Sequence, residues 1–280
     1  MANTINLVTK FQPLLDEVYQ AASLTGDLEH SAVKFDGTKT VKVLKLSVPA
    51  LGSYTRNSGY TAGDVTADWE SFTLSQDRGT EFSVDAMDDE ETLNMTFGNA
   101  SSEFIRRSVT PQVDAYRFAT IAKAEGINSA TAANLTTGDA VIKALSAAMT
   151  KMDEDEVTPE GRILYITPTL YGLIQDLETY KSKAVMSRFS KIVQVPQSRF
   201  YTNLTISDKG FAKAEDGKNI NFLIVEPKAV FGVAKHKKLR VFDPDTNQKR
   251  DDYLFQYRLY HDMFVYPQKA AGVYLHSANA

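Results

Sequence analysis

Leu74-Ser-Gln-Asp-Arg-Gly79, continuing after two residues as Phe82-Ser-Val-Asp-Ala-Met-Asp-Asp-Glu-Glu-Thr92, is the stretch on which the reading of this chain turns. Phe72-Thr-Leu-Ser-Gln76 and Phe82-Ser-Val84 alternate apolar and polar residues, the period-two pattern of half-buried strands. Asp77-Arg78-Gly79 between them carries turn chemistry. Clustered carboxylates from Asp85 to Glu91 then favour the positive end of a helix dipole. As a paired-carboxylate active site they are poor candidates, because they are adjacent and have no His or Lys nearby. From this cap a helical pattern runs to about Glu125. Unbroken, its ~35 residues would span ~50 Å, a strut longer than one compact domain needs. Thr110-Pro111 falls inside it, and proline there predicts a kink or a restart with Thr110 as cap.

Upstream, Val41 to Val48 favours a strand, with Lys42 and Lys45 facing solvent. Pro49 to Asp64 is small, polar and Gly-rich, and long for a connecting loop. Residues 35–85 therefore read as a two-stranded excursion with a polar tip. An isolated ribbon is at best marginally stable in water, so it must lie on something. Its stiff anchors are Trp69, the single Trp of the chain, and Phe72. They lie either across an adjacent subunit or, in the case of Trp69, under the ribbon on the chain's own long helix. Nearer the start, Leu7, Val8, Phe11, Leu14, Leu15, Val18, Tyr19 and Ala22 recur at helical spacing. Pro13 marks the first turn of a helix from about Leu14 to Ser23, ended by Thr25-Gly26. The stripe of Phe11, Leu15 and Val18 serves equally as a face packed on its own domain or as an arm laid on a neighbour.

Beyond Gly126 the pattern becomes mixed α and β. Asp139 to Met152 reads as an amphipathic helix, Arg162 to Ile166 as a short buried strand, and Pro168 to about Tyr180 as a helix. Phe222-Leu-Ile-Val225 is a second apolar strand. Strands at Leu239–Phe242, Tyr253–Val265 and Gly272–His276 close the chain, with turn-formers Asp243 to Asn247 between the first two.

The composition is that of a folded α+β protein: 43% hydrophobic and 24% charged over 280 residues. A chain of this length buries a core without disulfides or metals. It contains no Cys, which excludes thiol catalysis and cysteine-ligated zinc and fits a reducing compartment. No run approaches the ~20 apolar residues of a membrane helix, and the first residues lack the pattern of a secretory signal. Net charge is -4, so no global field attracts nucleic acid.

Candidate chemistry fails position by position. His30, His236, His261 and His276 have no metal-ligand spacing. Gly210 to Lys218 imitates a phosphate loop, but its glycines are one position too far apart and Asn219 replaces the needed Ser or Thr; a polar hairpin tip is the better reading. Asp243, Asp245 and Asn247 imitate a calcium loop, yet Gln248 stands where Gly belongs and Leu254 where Glu belongs. Lys235-His-Lys-Lys-Leu-Arg240 is the densest basic cluster and reads as a solvated loop, with contact to DNA or an acidic neighbour as the alternative. No nucleophile, base and orienter come together, and no cofactor or metal is expected.

The opening stretch resembles the returning strand of the extended loop of tailed-bacteriophage major capsid proteins, where it enters their spine helix. Val109-Thr-Pro-Gln-Val-Asp-Ala-Tyr-Arg-Phe118 resembles the second half of that helix. Tyr257-Arg-Leu-Tyr-His-Asp-Met-Phe-Val265 and Lys269-Ala-Ala-Gly-Val-Tyr274 resemble the closing peripheral strands. The matches occur in family order over most of the chain.

The resemblance implies an α+β, Hong Kong 97-like capsid fold. Its parts would be an N-terminal arm (1–34), an extended loop (35–88), a spine helix (89–127), an axial domain (128–234) and returning peripheral strands (235–280). It implies a structural, non-enzymatic shell protein that forms pentamers and hexamers around double-stranded DNA, held by weak non-specific contacts. An encapsulin-type nanocompartment shell is the alternative. Phe11, Leu15, Val18, Tyr60, Trp69, Phe72 and Arg78 are the expected inter-subunit residues. The arm is short beside the type member's cleaved scaffolding segment, so a separate scaffolding protein and a portal are expected partners, with assembly in the host cytoplasm and residence in the virion. The type member also cross-links a loop lysine to a neighbour's asparagine. Here no lysine lies between Lys45 and Lys123, so the loop tip lacks that nucleophile.

Overall fold

The computed structural model describes residues 23–30, 35–37, 39–57, 59–87, 96–177, 179–208, 210–247 and 250–279. The expected arm helix and the first residues of the expected spine lie outside these. The strands are β1 (Phe35–Asp36), β2 (Thr40–Ser47), β3 (Thr66–Thr73), β4 (Gln76–Asp85), β5 (Asn128–Ser129), β6 (Ile163–Ile166), β7 (Lys191–Gln194), β8 (Leu204–Ser207), β9 (Gly210–Lys213), β10 (Ile220–Val225), β11 (Val230–Phe242), β12 (Asp252–Val265) and β13 (Val273–Ser277). The helices are α1 (Thr96–Phe104), α2 (Thr110–Lys123), α3 (Gly138–Glu154), α4 (Pro168–Gln175) and α5 (Tyr180–Met186).

Helices α1 and α2 are one strut, joined by a π-helical turn at Ile105–Val109. Proline lacks an N–H and crowds the carbonyl one turn earlier, so a helix through Pro111 needs local widening. The π turn supplies it. Thr110 does not cap a new helix: its backbone is helical and its hydroxyl donates to the Ile105 carbonyl at 3.0 Å. The strut of residues 96–123 spans about 40 Å.

One face of this strut packs on an antiparallel sheet of order β11-β12-β4. Ile105 and Val113 meet Leu239, Val241, Phe255, Tyr257 and Leu259 there. Here the structure corrects the sequence reading. Residues 76–85 do not return the ribbon; β4 runs along β12 from Gln76↔His261 to Asp85↔Asp252. Asp77-Arg78-Gly79 is strand, not turn. Gly79 has Tyr257 O 3.0 Å from where a Cβ would stand, and Arg258 Nε and Nη2 donate to the Asp77 carboxylate at 2.8 and 2.5 Å. Phe82 stacks on Phe255 with centroids 4.6 Å apart. These partners lie some 180 residues away, where local turn chemistry gives no hint of them. The basic run Lys235–Arg240, read as a loop, is likewise inside β11.

A second, five-stranded sheet of order β5-β13-β10-β6-β7 carries the largest core. Strands β6 and β10 are buried at every position, which explains their unbroken apolar sequences. The closing strand β13 pairs with β10 here, so it does not join the peripheral sheet. Helix α3 opens with Thr137, whose hydroxyl accepts from Ala140 N at 3.3 Å. The helix expected from Pro168 to Tyr180 is two: α4 ends at Gln175 and Thr179 caps α5, accepting from Ser182 N at 3.2 Å.

Candidate intersubunit surface

Strands β2 and β3 form a ribbon, paired from Thr40↔Thr73 to Ser47↔Thr66. Residues paired across an antiparallel ladder share a face, and neighbours along a strand alternate. Val41, Val43 and Phe72 therefore lie on one face; Leu44, Leu46, Ala67 and Trp69 lie on the other. The first face is seated at the ribbon's root. Val41 is fully buried, and Phe72 packs 5.2 Å from both Phe231 and Phe264. Polar bonds lock this root: Leu74 N donates to Lys39 O (2.9 Å), Tyr260 Oη to Leu74 O (2.9 Å) and Ser75 N to Asp262 Oδ2 (2.7 Å).

The second face has no such seat among the described residues. Among the described residues eleven large apolar side chains are exposed, and nine of them fall between Phe35 and Trp69. Leu44 (44% exposed) sits directly opposite Trp69 (64%). Leu46, Val48 and Val65 extend the stripe toward the tip, where Tyr54 and Tyr60 pack together with ring centroids 5.0 Å apart. A single exposed Leu means little, but a contiguous apolar stripe marks a contact surface.

The expected inter-subunit residues thus separate. Tyr60 and Trp69 are exposed on the ribbon. Trp69 does not lie under the ribbon on the spine helix. Phe72 faces its own subunit. Arg78 is also engaged at home, its Nη2 donating to Ser207 O at 2.6 Å. Phe11, Leu15 and Val18 lie outside the described residues.

What sequence reading missed is the anchor beneath the chain's first described residues. Asp114 on α2 is fully buried and accepts from Thr25 Oγ1 (2.7 Å), Leu24 N (3.0 Å), Thr25 N (3.2 Å) and Ser23 Oγ (3.2 Å). Burial pushes its carboxyl above the usual range, and these bonds oppose that. The buried Arg117, one turn on, donates to Thr25 Oγ1 at 3.0 Å and pairs with Glu29 at 2.6 Å. The i,i+3 spacing of Asp114 and Arg117 within an otherwise apolar helical face was the available signal. This anchor fixes residues 23–25 to α2.

Among the described residues no group of His, Cys, Asp or Glu could hold a metal ion, and no helix is long and apolar enough to cross a membrane. His261 is buried, its imidazole pushed down to about 3 by desolvation. It is a neutral core histidine that meets the Tyr116 ring edge-on at 5.6 Å.

A slender ribbon seated at its root on a body braced by a long helix is the shape to compare. No family model and no curated protein sequence matches the chain. Solved structures do. The mature capsid of bacteriophage PhiM1 aligns with TM-score 0.64 and 13% identity, over 87% of this chain and 83% of that one. A virus-like particle from Pyrococcus furiosus aligns with TM-score 0.63 and 12% identity, over 96% and 98%. The capsid of cyanophage P-SCSP1u aligns with TM-score 0.59 and 16% identity, over 92% and 88%. The fold is the Hong Kong 97-like capsid fold. At these identities the likeness is one of fold.

Proposed function

We propose that this chain is the major capsid protein of a tailed bacteriophage, a structural subunit without catalysis. It assembles into pentamers and hexamers of an icosahedral or prolate shell that encloses double-stranded DNA. One observation carries the reading: among the described residues, most of the exposed large apolar side chains sit on a ribbon with no core of its own, on a body with a capsid fold. A lone enzyme gains nothing from such a stripe, whereas a tile gains a contact with each neighbour. Individually modest contacts suffice, because each subunit touches many others and closure makes detachment cooperative. Residues 1–34 act as an arm, 128–234 belong to the axial domain, and Tyr60 and Trp69 contribute to the contact. A separate scaffolding protein and a portal take part in assembly. DNA contact is weak, as the mild acidity of the chain implies. The protein assembles in the bacterial cytoplasm and resides in the virion.

A second reading, an encapsulin-type shell around a cargo enzyme, is compatible with the same fold, which a virus-like particle also has. Expression with its neighbouring genes, followed by sizing and electron microscopy, tests both. Megadalton shells containing DNA support the phage reading, and shells containing a cargo protein the second. A stable small oligomer defeats both.

A further inference from the structure

Leu239, Val241, Tyr257 and Leu259 turn one face of the β11-β12-β4 sheet onto the strut. The residues that alternate with them lie on the opposite face. There His236, Lys238 and Arg240 follow one another along the edge strand β11, and Lys238 stands directly opposite Arg258 of β12. Like charges in that position destabilise a sheet. Arg258 is offset by Asp77, whose carboxylate accepts from it at 2.8 and 2.5 Å. Glu81 accepts from Gln256 at 3.0 Å. Both carboxylates belong to β4, the far edge of the sheet. Lys238 and Arg240 have no carboxylate partner among the described residues, although the chain as a whole is acidic at net charge -4. Lysine on an edge strand discourages pairing with another sheet, but that role needs no second cation opposite and no cavity beneath.

A cavity is present. It measures about 130 Å³ and is lined by His236, Lys238, Arg240, Gln256 and Arg258. Ring-sized ligands occupy about 300–1,000 Å³, so this one suits a compact anion. Along a strand, alternate residues stand about 7 Å apart, and two cationic heads at that spacing can bracket one tetrahedral group. A phosphoryl group brings three strong acceptor oxygens and close to two charges, enough to meet Lys238, Arg240 and the His236 ring together. A carboxylate brings two oxygens and one charge. Arginine adds a planar fork that matches phosphate oxygens, and lysine a point charge beside it. We propose that this face of the sheet is an anion site that takes the phosphoryl group of a small phosphate compound, with Lys238 and Arg240 as its principal ligands and His236 and Arg258 at its sides. The site belongs to a single subunit, so its failure would leave the shell reading untouched.

Calorimetric titration of unassembled subunits with pyrophosphate, at ionic strength held constant with sodium chloride, tests this. One site per subunit is expected. Lys238→Thr with Arg240→Thr keeps good strand formers on an exposed face and should weaken binding tenfold or more, since charge-assisted hydrogen bonds are lost. Lys181→Gln with Lys183→Gln removes the same two charges from exposed positions of α5 and should leave the affinity unchanged. Pyrophosphate at about ten times its dissociation constant should raise the parent's melting midpoint by about 2–4 °C, and the double variant's by about 1 °C or less. Parent subunits that show neither heat nor a melt shift overturn the site. So does a control that weakens binding as much as the double variant. A short DNA duplex at equal phosphate concentration is the remaining arm: if it engages Lys238 and Arg240 while pyrophosphate does not, the row is a nucleic-acid contact and the proposal falls. Should the double variant fold poorly, Lys238→Thr alone decides. It relieves the opposition to Arg258 and should melt no lower than the parent, and an unchanged pyrophosphate affinity in it overturns the site.

Discussion

Trp69 and Phe72 lie three residues apart on β3 and so on opposite faces of the ribbon. Their truncation should therefore have opposite signatures. Phe72 is half-buried against Phe231 and Phe264 of its own chain. Truncating a fully buried Phe costs about 3–5 kcal/mol, so roughly half of that, ~2 kcal/mol, is expected for the Phe72→Ala subunit. For a domain of this size this lowers the melting midpoint by about 4–8 °C. Trp69 is 64% exposed in the subunit. Trp69→Ala should cost the isolated subunit less than about 1 kcal/mol, a shift of roughly 3 °C or less. In the shell the order reverses. An aromatic anchor covered by a neighbour is worth about 2 kcal/mol or more, roughly thirtyfold per contact. Circular dichroism melts of unassembled subunits read the first effect, and light scattering of shells across a guanidinium series reads the second. Because Trp69 is the single Trp, its emission maximum should also move to the blue on assembly. A Trp69→Ala subunit that melts as low as Phe72→Ala would place Trp69 in the subunit's own packing. An emission maximum and a guanidinium resistance of the shell that both ignore Trp69 would remove it from the contact.

Three further outcomes are expected. Replacing the tip, residues 52–66, by a short Gly-Ser linker should leave a soluble subunit with near-native circular dichroism that stops at monomers or capsomers; closed shells in normal yield would remove the clamp. Boiled particles should run as one band near 31.1 kDa on a denaturing gel, since no lysine lies near the tip to form the type member's cross-link; a ladder of multimers would contradict this. Burial holds His261 down to about 3 from 6.5, so below pH ~6.5 the unfolded chain takes up a proton that the folded one refuses. Subunit stability should be full above that pH and fall as pH drops, by about 2 kcal/mol near pH 5. His276, whose imidazole burial also lowers, adds to the loss. His261→Phe should flatten the slope measured by melts at the two pH values, and an unchanged slope would show that His261 titrates freely.

The local elements were legible in the sequence because each depends on near neighbours. The 3.6-residue period, with a cluster of carboxylates before it, announced the spine; the unbroken apolar runs at Ile163–Ile166 and Phe222–Val225 announced buried strands; and the Gly-rich polar stretch after Pro49 announced a ribbon that could not fold alone. Absence of Cys excluded thiol chemistry without a coordinate. Pairing across long distances was not legible. Leu74 to Asp85 carries an alternating pattern that any strand partner could satisfy, and only the tertiary structure gives that role to β12, through the Asp77–Arg258 pair and the Phe82–Phe255 stack. Period two told which residues of β3 share a face but not which face meets the body. Phe72 and Trp69 were equal candidates until the positions of Phe231 and Phe264 separated them. Pro111 announced a disturbance in the helix, yet whether the strut would break or widen depended on the sheet packed against Ile105 and Val113, which holds both halves in line.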